Sequence, residues 1–291
     1  MTLSINTNAA ALNALQSLNR TTTQLEDTQL RINTGLEVNS AKDNAAIFAI
    51  AQNLRADRQG LEAVKSSLDR ATSVLDISMA AAESIQELLI EMKEKVTQAA
   101  DAGLPDDSRE ALQEDFERLR DQIVTIAKNA TFNGTNMIDG PANPPTKPAE
   151  LVALVSVDAT LKIQVPRQNL QLAPATTTPA AGDAIQLAQD TTFTDATEAE
   201  ALISAIDASI KNVSESLTVM GAGSNSMDRQ RTFIDKLGDT VETGIGNMVD
   251  ADMARESAML QALQVKQQLG TQALSIANQQ PQAILSLFGN G

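Results

Sequence analysis

The sequence predicts a mainly α protein: an elongated antiparallel coiled coil or helical bundle, with a small β-hairpin region in the middle of the chain. Three observations lead there. The first is a pair of apolar ladders that step in sevens, one in each half. One climbs through Ile47, Leu54, Leu61, Leu68, Leu75, Ala82, Leu89 and Val96; the other through Ala199, Ile206, Val213, Met220, Met227, Ile234, Val241 and Met248. A seven-residue repeat keeps one seam of a helix against a partner, because about 3.5 residues per turn is close to the natural value. Each ladder makes a rod of roughly 75 Å at the helical rise, and equal lengths pair the two rods. The second observation is aromatic poverty. Across 291 residues there are six Phe and neither Trp nor Tyr, which suits thin helical seams better than a thick core. The third is the stretch from Leu151 to Val165, where every odd position is apolar, as a strand requires.

In chain order, Ala11, Leu18, Leu25 and Ile32 carry the same seam logic, supported by Leu12 and Leu15, until Asn33-Thr34-Gly35 breaks the helix. Ser40 is the expected N-cap of the next helix, with Asp43 three residues on. That helix runs to about Ala100. Beside its ladder lies a second row, Ile50, Val64, Ala71, Ile85, Met92 and Ala99, interrupted by Asp57 and Ser78. After a turn at Asp101–Pro105, a shorter helix carries the stripe Leu112, Phe116, Leu119, Ile123, Ile126 and Ala130. Its acidic remainder reads as a solvated face.

Asn133-Gly134 and Asp139-Gly140 mark tight turns, and Pro141, Pro144, Pro145 and Pro148 bar helix. The alternation at 151–165 is long for one strand, so a hairpin bends near Asp158, and Pro174 to Pro179 is loop. From Asp195 to Val249 the second ladder is flanked by Ile203, Ile210, Leu217 and Ile245. Gly221-Ala222-Gly223 lacks the preceding strand and following Lys of a phosphate loop, and Met220 and Met227 stay in register across it, so the helix continues. From Ser257 onward Lys266 is the single charged side chain, while apolar residues spread around the helix. Such a helix must be surrounded by other protein.

A net charge of −15 disfavours nucleic acid and anionic membrane surfaces as partners. The absence of Cys and His removes disulfides, thiolate chemistry and the commonest metal ligand. No nucleophile, metal or phosphate constellation is found, so neither catalysis nor a cofactor is expected. The longest apolar run, Ala45 to Ala51, is too short to cross a bilayer, and the N-terminus does not resemble a cleavable secretory signal. Both terminal stretches bury too little against one neighbour to repay their ordering. They are expected to be mobile in the monomer and to fold together on assembly.

The stretch Leu30-Arg31-Ile32-Asn33-Thr34-Gly35-Leu36-Glu37-Val38-Asn39-Ser40-Ala41-Lys42-Asp43-Asn44-Ala45-Ala46 resembles the signature of bacterial flagellins. Ala273 to Gln279, with Ile284-Leu285-Ser286-Leu287-Phe288, is similar to the flagellin C-terminus. Glu37 and Asn44 replace the more usual Arg and Asp, and the frequent terminal Arg is missing. The resemblance implies a short-form flagellin: a structural subunit that self-assembles into a hollow helical filament for motility. The alternatives are a hook–filament junction protein or a discrete coiled-coil adaptor. It implies an inner-tube domain from residues 1–40 and 250–291, and a helical rod domain from 41–140 and 195–249. Residues 141–194 form a small β and loop decoration. Its implied partners are further copies of itself, the flagellar export apparatus and a chaperone, and hook-associated and cap proteins. Its implied location is the extracellular flagellum, reached without a cleaved signal.

Three residue sets follow from the two readings together. The rod-core seam is Ile47, Leu54, Leu61, Leu68, Leu75, Leu89 and Val96 with Ile206, Val213, Met220, Met227, Ile234, Val241 and Met248. Inner-tube assembly falls to Leu12, Leu15, Leu18, Leu25 and Ile32 with Leu260, Leu263, Leu269, Leu274, Ile276, Ile284, Leu285, Leu287 and Phe288. The segment that the flagellin-sensing Toll-like receptor reads in some relatives corresponds to Ile90–Lys95. There Ile90, Glu91 and Lys95 depart from the usual pattern, Glu91 reversing an Arg charge.

Overall fold

The computed structural model describes residues 8–140, 150–175, 177–179 and 183–288, the last nine by backbone alone. Pro141, Pro144, Pro145 and Pro148 lie outside them. Among the described residues are five helices: α1 (Ala9–Thr34), α2 (Ala45–Ala99), α3 (Asp106–Asn129), α4 (Ala196–Val249) and α5 (Met253–Phe288). Strands β1 (Glu150–Leu154) and β2 (Lys162–Pro166) pair antiparallel, Ala153 opposite Ile163. The chain divides into two compact units, Met1–Arg58 with Asp239–Gly291, and Gln59–Gly238. Helices α2 and α4 contribute to both.

Within Gln59–Gly238 the two long helices run antiparallel without slip. Lys65 meets Asp235, Asp69 meets Arg231, Gln86 meets Ser214 and Lys93 meets Asp207, so each advance along α2 equals the retreat along α4. The ladder rungs are thereby set within a turn of one another, and burial follows. Leu68, Leu75, Ala82, Leu89 and Val96 are fully buried, as are Ala199, Ile206, Val213, Met220 and Met227; Leu61 and Ile234 are nearly so. Val64, Ala71, Ile85, Met92 and Ala99 complete the α2 side. Ser78, which breaks that row in sequence, is also fully buried, its hydroxyl donating to the Val74 carbonyl at 2.8 Å. Helix α3 lays Phe116, Ile123 and Ala127 into the same core, with the Phe116 and Phe193 rings edge to face at 5.5 Å.

Several local expectations change. The second row does not extend back to Ile50, which is 50% exposed. On α4 the flanking row of Ile203, Ile210 and Leu217 is only half-buried, whereas Ser209 and Ser216 are buried. The reason is the chain that runs between the two long helices, the hairpin included. Ser209 Oγ accepts from Gln186 N at 2.8 Å, Ser67 Oγ accepts from Leu154 N at 3.2 Å, and a Cβ at Gly223 would lie 2.5 Å from Val165 Cγ2. Val157 sits against Gly60 in the same way. Small residues at heptad spacing on the long helices clear room for the chain between them. That intervening chain supplies core as well as cover: Met137, Ile138, Leu170, Leu172, Ile185, Leu187 and Phe193 are all buried. The hairpin bends at Asp158, as the alternation required. Asp158 accepts from the Ser156 and Thr160 hydroxyls, which hold its carboxyl below the ordinary aspartate range.

Ser40 does not cap α2. The helix begins at Ala45, and Asn44 Oδ1 accepts from Ala46 N and Ile47 N, both at 3.2 Å. Asp43 instead folds back on the preceding turn, where the Ser40 backbone N–H, at 2.9 Å, draws its pKa down. At the other end of α2 a buried Arg109 stands in for a C-cap. Its guanidinium donates to the carbonyls of Ala99, Asp101 and Leu104 and pairs with Asp106 at 2.9 Å. A cation among orphan carbonyls at a helix C-terminus is favourable in both charge and hydrogen bonding.

Candidate assembly surface

The unit of Met1–Arg58 with Asp239–Gly291 is built on α1 lying antiparallel against α5. Asn8 opens α1: its Oδ1 accepts from Ala11 N at 3.0 Å, and its Nδ2 donates to the Ala277 carbonyl at 2.8 Å. Midway, Leu18 packs onto Gly270, where a Cβ would stand 3.1 Å from Leu18 Cδ1. Glycine lets the helices approach there. Toward the other end, Arg31 pairs with Glu256 at 3.3 Å.

This pairing divides the expected assembly residues into two sets. Leu25 and Leu263 are buried in the α1–α5 contact with Thr28 and Ala277, and Leu18, Ile32, Leu260 and Leu274 are half-buried. Leu12 is 60% exposed and Ile276 64%, with Leu15 and Leu269 also exposed and joined by Leu30, Met259 and Val265. The side chains of Ile284, Leu285, Leu287 and Phe288 lie outside the described residues. A single exposed leucine is ordinary, but this many on two adjacent helices is a surface awaiting cover.

Charge agrees with that. By sequence, this unit holds seven of the 22 basic residues and ten of the 37 acidic ones, a net of −3, leaving −12 to Gln59–Gly238. Packing it against copies of itself therefore strands few charges.

The turn after α1 ties the two chain crossings together. Gly35 takes φ 73°, Glu37 N donates to Val249 O at 2.7 Å, and Ala251 N donates to Gly35 O at 2.9 Å. Asp252 caps α5 through Ala254 N and Arg255 N. Beside this joint, Val38, Ala51, Ile245 and Val249 are buried, and the terminal ladder rungs Ile47, Leu54, Val241 and Met248 pack half-buried around them. The sequence offered a cue for Asn8, since Asn before a helical run is a common cap. The Arg31–Glu256 pair, separated by most of the chain, had none.

In the stretch Ile90–Lys95, Ile90 is 53% exposed and Glu91 exposed, while Lys95 pairs with Asp115 at 3.2 Å. No group of His, Cys, Asp or Glu among the described residues could hold a metal ion, and none of the described helices is long and apolar enough to cross a membrane.

Residues 5–143 match the bacterial flagellin N-terminal helical region, and residues 203–288 the bacterial flagellin C-terminal helical region. Flagellin FljK of Caulobacter vibrioides is 45% identical over 285 residues, 98% of each chain. The chain belongs to the bacterial flagellins. A flagellin of Brucella melitensis is 34% identical, covering 98% of this chain and 99% of the other. Among solved structures, a Vibrio parahaemolyticus chain described as a flagellar hook-associated protein matches with a TM-score of 0.56 at 16% identity. That match covers 72% of this flagellin and all of that chain, and speaks for the fold alone. This flagellin is a structural subunit of the flagellar filament, and the exposed faces of α1 and α5 belong to a protein that polymerises.

Proposed function

We propose that residues 1–40 and 250–291 of this flagellin form the inner wall of a hollow filament, and that the helical rod of 41–140 and 195–249 belongs to the layer around it. The observation that carries this reading is the apolar exposure of Leu12, Leu15, Leu269 and Ile276 on a unit of small net charge. Removing residues 257–291 takes away most of α5. Electron microscopy of the truncated protein should find no filaments, while circular dichroism still reports a helical body. Filaments from that truncation would refute the inner-wall assignment.

Delivery to the distal tip through the flagellum's own channel, without a cleaved signal, is part of the same reading. So are an export chaperone, hook-associated proteins and a cap as partners. Full-length likeness to flagellins favours the extended filament over a junction ring; long growth of purified protein from filament seeds separates the two. Glu91 in place of an Arg, and Lys95 engaged with Asp115, support weak or absent activation of the flagellin-sensing receptor. A strong response of receptor-bearing cells to the purified monomer would refute that.

A further inference from the structure

The chain contains nine Met and no Cys, His, Trp or Tyr. Of the side chains that oxidants attack readily, the Met thioether is the one kind left. Burial then sorts the eight Met among the described residues. Met92, Met137, Met220 and Met227 are buried, and Met79 on α2 and Met248 on α4 are half-buried. Met253 and Met259 are 44% and 47% exposed, and both lie on the first two turns of α5. Among the described residues, the sulfur that solvent reaches most openly is thus gathered on one helix.

That helix also carries the uncovered Leu269 and Ile276. A thioether suits such a face, because it is apolar, flexible and able to fill an irregular contact. A sulfoxide does not. Its oxygen is a strong acceptor that water solvates in the free chain and that a dry contact strips bare.

We infer that Met253 and Met259 make assembly sensitive to redox state: a peroxide oxidises them in the free subunit, and the sulfoxides bar that subunit from the polymer. The inference rests on the inner-wall reading of α5. The step is an oxygen transfer. A sulfur lone pair takes one oxygen of the peroxide, the O–O bond breaks, and the other oxygen leaves as water, so sulfur loses two electrons and the peroxide gains them. Neighbouring copies that cover α5 shield both thioethers. The oxidant therefore acts on subunits that have not yet assembled and spares those that have. Methionine sulfoxide reductases, one for each sulfoxide epimer, reverse the change.

The test treats the full chain with dilute hydrogen peroxide, follows each Met by peptide mass mapping and measures elongation from filament seeds. Met253 and Met259 should each gain one oxygen before the other described Met do. The treated protein should elongate slower by about tenfold or more, with its thermal melt unchanged. Treatment with both reductases should restore growth. Met253→Leu with Met259→Leu keeps size and apolarity, so it should elongate within about twofold of wild type before and after peroxide. In finished filaments both sulfurs should react several-fold more slowly than in the monomer. The gate is overturned, while the filament reading stands, by any of five results: the oxidised wild type grows as fast as the reduced one, its melt drops, the reductases fail to restore growth, the Leu variant is as peroxide-sensitive as wild type, or filaments give no shielding. If untreated wild type fails to elongate, both fall.

Discussion

Helices α2 and α4 within Gln59–Gly238 differ from α1 and α5 in how their apolar residues are arranged around the helix. In the long pair the apolar positions repeat in sevens, and rungs from Leu68 to Val96 and from Ala199 to Met227 are fully buried. In the terminal pair they spread around the circumference, so a single partner covers Leu25 and Leu263 and leaves Leu12 and Ile276 in solvent. A narrow seam is satisfied within one chain; a broad one needs several neighbours. On the proposed inner-wall reading, the same chemistry serves folding in one region and polymerisation in the other.

The contrast breaks most decisively at the seam. Leu68→Asp with Leu75→Asp places two charges where both side chains are fully buried, and should cost upwards of about 5 kcal/mol, enough to unfold the unit. A cooperative melt at the wild-type temperature would mean the seam is misplaced. The matching substitution on the other surface, Leu269→Asp with Ile276→Asp, should leave the monomer melt within about 0.5 kcal/mol of wild type while seeded growth stops. A drop in monomer stability like that of the seam variant would erase the distinction between the two regions.

A smaller effect tests the slot in which the hairpin lies. Gly223→Ala improves helix propensity but drives a methyl into Val165, and should destabilise by about 1 kcal/mol net. Combined with Val165→Ala, its cost should be less than the sum of the single changes. Strict additivity in urea melts would show that the two side chains do not meet.

The smallest effect is at the hairpin tip. Hydroxyl hydrogen bonds from Ser156 and Thr160 favour ionised Asp158, so its folded pKa lies below the unfolded one. The stabilisation is therefore present above the unfolded aspartate pKa, near 4, and is lost as pH falls through the depressed folded value. Protection factors across 155–161, taken relative to the intrinsic exchange rate at each pH, should fall in acid, and Asp158→Asn should remove that fall; an unchanged profile in the variant would assign it to another group.

Much of this was legible beforehand. The ladders located the seam because heptad spacing is local and survives in a single sequence. Strict alternation and a polar Asp158 located the hairpin, and the scarcity of charge around Lys266 set α5 apart from the other helices. Less legible were Ser209, Gly60 and Gly223, whose small size has no evident purpose until the chain that packs on them is in place. Ser40 was mistaken for the α2 cap because Asn44, equally suited, stands four residues later. The burial of Leu170, Leu172, Ile185 and Leu187 had no long periodic run behind it.

The sequence by itself determined where helices form, which stripe of each is apolar and which stretches of the chain carry little charge, because these depend on spacing along one chain. Only the tertiary structure decided that α2 and α4 meet in an unslipped register, that Arg109 closes the end of α2, and that Leu12 and Ile276 remain uncovered. Those outcomes depend on which distant residues come together, and on the room each leaves for the others.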